Sequence, residues 1–177
     1  MQPRPVAAER PIPESWEPDV NATLLYIVRG GEILLIHKKR GLGAGKLNGA
    51  GGKVEPGEST IEAAMREFQE ELRARPVAPR KVGEVAFEVL SGMSILIHVF
   101  RSDALEGEPV ETSEATPVWA PLDDIPYDRM WEDDRHWLPH LIEDRRFEAY
   151  TRFEGDDMMH CQVVCLSDTD SLRPESL

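Results

Sequence analysis

The chain has no run of about 18 apolar residues, so no transmembrane helix is expected. Its opening stretch, MQPRPVAAERPIPESWEPD, lacks the apolar segment of a secretory signal, and a cytoplasmic setting is expected. Only two cysteines occur among 177 residues, Cys161 and Cys165. On a strand they would share a face but lie about 13 Å apart, at a rise of about 3.3 Å per residue. That is beyond disulfide reach. Two half-buried thiols in a reducing compartment are expected, not a bridge or a metal site. Positive charge is also scarce: 20 Lys and Arg stand against 33 Asp and Glu, for a net charge of −13. That balance argues against a nonspecific grip on a nucleic-acid polymer. No internal repeat is visible, and the length suits one domain with tails.

Acid is missing from one place in particular. Residues 33–54 contain none, yet they hold Lys38, Lys39, Arg40, Lys46 and Lys53. Such a cationic segment in an acidic protein suits a small polyanion; a solvated loop is the plain alternative. Immediately after it comes GKVEPGESTIEAAMREFQEELRA, residues 52–74. On a helix, positions i, i+3 and i+4 share a face, so Glu67, Glu70 and Glu71 would project toward one point. Crowded carboxylates repel unless a cation sits among them. A hard divalent ion taking oxygen ligands answers that need, and carboxylate-held magnesium serves phosphate chemistry. A solvated helix with an acidic face is the simpler alternative.

The organisation around this segment can be read from period and punctuation. Residues 1–20 carry five prolines and no sustained period, which predicts a mobile or loosely packed tail. Residues 23–28 and 32–37 read as strands joined by Arg29-Gly30-Gly31. Ser59 and Glu62 form a capping-box pair that starts a helix, and Pro76 would end it. Residues 82–90 and 94–101 read as two more strands, and residues 117–120 as a short one. Residues 129–144 have helical spacing interrupted by Pro139, which predicts a kink or a split. Residues 147–153 and 158–166 read as a last hairpin, followed by a polar tail over 167–177. The expected fold class is α/β, with hairpins that make the central sheet mixed. The domain is expected over 21–166.

The pattern G-x5-E-x7-R-E-U-x-E-E-x-G-U, with U apolar, is met by Gly52, Glu58, Arg66, Glu67, Phe68, Glu70, Glu71 and Ala74. It resembles the signature of the Nudix hydrolases, which implies a Nudix α/β/α sandwich. One position departs, because Arg73 stands where the family has glycine. A non-glycine residue there costs about 1–2 kcal/mol in a left-handed turn, or the helix end is built differently. Beyond this box, Lys38-Lys39-Arg40-Gly41, Gly51-Gly52-Lys53-Val54, His98-Val99-Phe100 and Met130-Trp131-Glu132-Asp133-Asp134 resemble the oxidised purine nucleoside triphosphate hydrolases of animals. These are the 8-oxo-dGTP diphosphatases.

That resemblance implies roles. Glu67, Glu70 and Glu71, with the Gly51 carbonyl and Glu114, would hold magnesium, or manganese in its place. Arg66 would pair with Glu58 and brace the box, and both belong to the catalytic set with Glu70 and Glu71. Lys38 and Lys53 would lie near the phosphates. Thr23 and Asn48 would touch the nucleoside, Trp131 would stack on the purine, and Asp133 and Asp134 would read its edge. Ala50, Gly51, Gly52, Phe87 and Glu132 complete the implied substrate-binding set. The general base stays open among Glu70, Glu71 and Glu114. Leu42 and Val89 occupy places where that family carries aromatics.

One part of the pocket can be argued physically. Two adjacent buried carboxyls resist ionising together, so one retains a proton and donates while the other accepts. Exchange between them would admit both guanine-like and adenine-like oxidised purines. Acids opening a helix, favoured by its dipole, are the plain alternative. The expected reaction yields nucleoside monophosphate and pyrophosphate, by a monomer acting on free purine nucleoside triphosphates. Hydrolysis of dinucleoside polyphosphates or ADP-ribose is a second reading. A nucleotide-binding module without catalysis is a third.

Overall fold

The computed structural model describes residues 9–173. Two glycines make the first hairpin. Gly30 and Gly31 both adopt positive φ, at 58° and 77°, which L side chains rarely do. This matches the right-handed twist of the flanking strands β1 (Val20–Arg29) and β2 (Glu32–Lys38), paired antiparallel with Arg29 opposite Glu32. A two-residue β3 (Leu47–Asn48) follows. Then comes α1 (Thr60–Leu72), whose N-terminus carries the expected capping box. Ser59 accepts from the Glu62 backbone and the Glu62 side chain accepts from the Ser59 N–H, which satisfies two otherwise unpaired donors. The helix closes on Arg73 at φ 57° and ψ 25°, so the left-handed turn is kept without glycine.

Short β4 (Arg75–Val77) and β7 (Ala104–Glu106) form a separate two-stranded ribbon. Strands β5 (Arg80–Val89) and β6 (Met93–Ser102) form the long second hairpin. After β8 (Ala115–Pro121) a single 3₁₀ turn leads to α2 (Asp134–Ile142). This helix starts later than spacing predicts, and it runs through Pro139 for three more residues without splitting. The hairpin β9 (Phe147–Glu154) and β10 (Asp157–Cys165) closes the fold.

The main sheet has eight strands in the order β10-β9-β5-β6-β1-β2-β3, with β8 beside β2. It is mixed: β1 pairs β6 and β5 pairs β9 in parallel, and the remaining pairs are antiparallel. On one face Ala64, Phe68 and Leu72 of α1 pack on Leu25, Ile27, Leu34 and Ile36. Burying a side chain such as Phe68 contributes about 1.5–3 kcal/mol. On the other face Trp137, Leu138 and Leu141 of α2 pack on Tyr26, Ile33, Val85 and Phe147. Helix, sheet and helix form the three expected layers. Among the described residues no helix is long and apolar enough to cross a membrane.

The loosely packed N-terminal tail is corrected from residue 9 onward. Ile12 is buried with Ala86 and Leu96, and Trp16 and Tyr150 pack beside them. Arg10 pairs with buried Glu148, whose other oxygen accepts from the Ile12 N–H at 3.0 Å. Trp16 Nε1 donates to Glu88 at 2.7 Å. Arg10 also reaches the Ser171 carbonyl at 2.7 Å, so the two ends of the described chain meet. Proline content predicted looseness, but a single isoleucine and paired charges anchor the segment. Its first eight residues lie outside the described ones, as do 174–177 of the polar C-terminal tail.

Candidate active site

Residues 50–54 form a turn held between β1 and α1. On the β1 side, Leu25 N–H donates to the Ala50 carbonyl at 2.7 Å and Thr23 N–H to the Gly52 carbonyl at 2.8 Å. On the α1 side, Gly51 N–H donates to Glu71 Oε2 at 3.1 Å, and Arg66 donates to the Lys53 carbonyl at 3.1 Å. Backbone crowding requires glycine at Gly51, and a side chain at Gly52 would have to displace the Glu67 carboxyl. A Cβ on Gly51 would stand 1.7 Å from the Thr23 carbonyl oxygen, and one on Gly52 would stand 2.4 Å from the Glu67 carboxyl carbon.

Arg66 organises the helix side. It grips Glu58 with two bonds, 2.7 Å from Nε and 2.9 Å from a terminal nitrogen. It also donates to Glu67 at 2.8 Å and lies 3.5 Å from Glu70. The Arg66 bonds hold the Glu58 carboxyl below its usual pKa. The three box glutamates therefore differ. Glu70 is exposed, Glu67 half-buried and Glu71 buried. Burial pushes the Glu71 pKa up to about 8; the charges of Glu67 and Glu114 add to it, while the Gly51 N–H and Lys38 oppose it.

Among the described residues no group of acidic, histidine or cysteine side chains stands ready as a metal cage. Arg66 holds Glu67 and neighbours Glu70, while Glu71 turns toward Gly51. Glu114 is taken by Arg40. Even so, the donors fit a hard divalent ion in kind. All are carboxylate oxygens, and a buried carboxylate crowded by like charge is a place where added positive charge is favoured.

Beside the turn opens a cavity of about 100 Å³. Thr23, Lys38, Asn48, Gly51, Gly52, Phe87, Trp131, Asp133 and Asp134 line it, so nine of the sequence-predicted residues meet there. Glu132 is exposed and outside the wall, Ala50 is buried behind it, and Lys53 is exposed beside Ala22. Asp133 Oδ2 accepts from Trp137 Nε1 at 3.0 Å. Its Oδ1, Asp134 Oδ2 and Thr23 Oγ1 are buried with no partner among the described residues. Only four such side-chain atoms occur there, and three belong to this cavity. Asn48 Oδ1 accepts from Gly49 N–H at 2.8 Å and Tyr26 Oη at 3.1 Å, which leaves its amide N–H groups as donors to offer.

Burial raises the Asp133 pKa to about 6. Burial, and then the charge of Asp133, raise Asp134 well above the carboxylate range. The pair therefore keeps a proton near neutral pH, as two neighbouring buried carboxyls should. Neither aspartate makes a side-chain cap to α2, although Asp133 stands at its N-cap position. The Trp131 indole packs edge-on against Phe87 and Phe153, with centroids 5.2 and 5.1 Å away. Lys46 Nζ lies 5.0 Å over its ring.

Sequence reasoning missed Ala22, Leu24, Ile95, Ile97 and Trp137 in the wall, and Phe153 behind Trp131. The period-two spacing of Ile95 and Ile97 was visible, but facing Phe87 across the β5–β6 register was not. Leu42 does line the cavity, whereas Val89 packs against the cluster of Phe87, Ile95, Trp131 and Phe153.

Known proteins resemble this chain in sequence and in fold. The chain is 43% identical over 138 residues to the oxidized purine nucleoside triphosphate hydrolase of Danio rerio, which covers 77% of this chain and 88% of that one. It is 38% identical over 136 residues to the protein of the same name from Mus musculus, covering 76% and 87%. The fold is similar to a crystal structure of a MutT protein from Bacillus halodurans, with TM-score 0.73, 22% identity, and 81% and 97% of the two chains covered. Residues 18–141 match the NUDIX domain model, and the chain belongs to the Nudix family.

Proposed function

We propose that this protein hydrolyses oxidised purine nucleoside triphosphates, of the 8-oxo-dGTP and 2-hydroxy-dATP type, to the monophosphate and pyrophosphate. Its role is then to clear damaged nucleotides before a polymerase uses them. The observation that carries the reading is the cavity itself: three buried polar atoms without partners surround it, and it adjoins the turn tied to Glu71. Unpaired buried polar groups cost about 1–3 kcal/mol each, and a base edge of matching donors and acceptors offsets that cost. The names of the Danio rerio and Mus musculus relatives support the same substrate class.

In this reading Asp133 and Asp134 share one proton, so one donates to a purine carbonyl while the other accepts from ring N–H groups. Asn48 donates from its amide, Thr23 offers its hydroxyl, and Trp131 stacks on the ring with Phe87 behind it. Lys38 and Lys53 offset charge on the phosphates. Nudix hydrolases work with a divalent metal. Here magnesium, or manganese, would be held by Glu67, Glu70 and Glu71 with Glu114 and the Gly51 carbonyl, and would supply positive charge against the polyphosphate. Water attacks the β phosphorus, the bond from that phosphorus to the bridging oxygen of the α phosphate breaks, and the oxygen leaves with the monophosphate. A carboxylate takes the water proton. Glu71, buried beside the Gly51 turn, is one candidate; Glu70 and Glu114 are the alternatives. The Gly51 N–H fixes Glu71 Oε2 and leaves Oε1 for the proton. Arg66 keeps Glu67 and Glu58 in place.

The protein acts as a cytoplasmic monomer on a free nucleotide, a reading supported by the net charge of −13 and two free thiols. The test is a panel of oxidised and normal nucleotides, dinucleoside polyphosphates and ADP-ribose with magnesium, scoring pyrophosphate against orthophosphate. Pyrophosphate release preferring oxidised purines is expected. No turnover of any of them, or a preference for ADP-ribose, would overturn the assignment.

A further inference from the structure

A buried polar cluster lies in the sheet away from the cleft. Glu84 is 0% exposed and His98 3%. Lys81 Nζ stands 2.7 Å from Glu84 Oε1 and 2.8 Å from His98 Nδ1. An ammonium has no acceptor, so Nδ1 must accept with its lone pair and the ring proton must sit on Nε2. That nitrogen stands 3.0 Å from Asn21 Oδ1, to which it donates. Burial, with the charge of Lys81, lowers the imidazole pKa to about 3, so the ring stays neutral.

The cluster has two ends. The outer one is the chain terminus: Glu84 Oε2 accepts from the Arg173 N–H at 3.3 Å, and the Arg173 guanidinium donates to the Pro13 and Trp16 carbonyls at 2.6 and 2.9 Å. The inner end is the active-site turn. The Asn21 carbonyl accepts from the Val54 N–H at 2.9 Å. Val54 follows Gly51, bonded to Glu71, Gly52, which lies against the Glu67 carboxyl, and Lys53, bonded to Arg66; Asn21 is the last point at which β1 holds that segment.

We propose that His98, locked as its Nε2–H tautomer by Lys81, is a positioning residue. It fixes Asn21 and, through the Asn21 carbonyl, the turn that carries Gly51 and Gly52 beside the box carboxylates. Its effect on turnover rests on the nucleotide hydrolysis proposed above; its effect on the turn does not.

The test uses the full chain and has three readouts. In ¹⁵N NMR of the wild-type imidazole, a protonated Nε2 and an unprotonated Nδ1 are expected, unchanged from about pH 5 to about pH 8. In His98→Leu, hydrogen exchange at the Val54 amide should quicken about tenfold. Turnover should fall in kcat with KM little changed, and His98→Gln, which keeps an N–H donor, should restore both. Asn21→Ala carries the exchange measurement should His98→Leu not fold. An Nδ1–H tautomer, a titration inside that pH window, or unaltered Val54 exchange in the variant overturns the proposal. Absence of nucleotide hydrolysis in the wild type would instead sink the function, and the two NMR-based readouts would still decide the role of His98.

Discussion

On the box side of the cleft, Arg66 has partners in Glu58, Glu67 and the Lys53 carbonyl, and Glu71 has one in Gly51. On the cavity side, Thr23 Oγ1, Asp133 Oδ1 and Asp134 Oδ2 have none among the described residues. The first region is assembled from residues 51–71, close in sequence, and holds itself in shape. The second gathers β1, β5, β6 and the start of α2, and its polar atoms are incomplete without a visitor. Chemistry common to a family is preorganised by bonds within the protein. On the proposed reading, recognition of one substrate is left as unmet hydrogen-bonding capacity.

The sharpest way to break this contrast is Glu71→Gln. It removes the buried carboxylate without changing volume. Activity should fall by about 10²–10³-fold, the scale of losing one charge-handling group. Near-normal turnover in a steady-state assay would remove Glu71 from the site.

The cavity side should respond in selectivity. Asp134→Asn fixes a donor where a shared proton now moves, and the preference among oxidised and normal purines should change about tenfold or more, on the scale of one rearranged buried hydrogen bond. Unchanged ratios of kcat/KM across the panel would contradict the shared-proton account. The same pair predicts a pH effect on folding. Asp133 is raised from 3.8 to about 6 in the folded state, so between those values the native form binds more protons than the unfolded one. Stability contributed by this group is therefore present at low pH and lost as pH rises through about 6. Asp134 acts with the same sign. Urea unfolding midpoints followed against pH should show that decline, and Asp133→Asn should flatten it.

The smallest effect belongs to the end of α1. Arg73 holds φ 57°, and Arg73→Gly should stabilise the protein by about 1 kcal/mol. It should leave selectivity untouched, because Arg73 lies outside both regions. A lower Tm in the variant would mean that the arginine side chain contributes more than its backbone costs.

The box, its helix and the three long hairpins were legible because each rests on local rules. Ser59 with Glu62 marks a start, Gly30-Gly31 a two-residue turn, and period-two apolar runs the strands. The short strands at Leu47–Asn48, Arg75–Val77 and Ala104–Glu106 carry too few residues to show a period. The N-terminal segment misled for a related reason. Its prolines speak to local stiffness, while Ile12 and Arg10 depend on partners more than 70 residues away. Asp133 and Asp134 could be named from resemblance, but that they end buried and unpaired depends on tertiary packing. The wall at Ile95 and Ile97, and Phe153 behind Trp131, were silent because apolar strand residues read alike on either face.

Ile12 packs on Ala86 and Leu96, whose strand neighbours Phe87, Ile95 and Ile97 face the cavity from the opposite side. With Arg10 touching Ser171, the two ends of the described residues lie together behind the sheet. A fluorescent or affinity fusion joined near Arg10 or Ser171 starts from the side remote from the cavity. The chain could also be spliced across Arg10 and Ser171 by a short peptide, opening the backbone elsewhere while the entrance to the cleft stays clear.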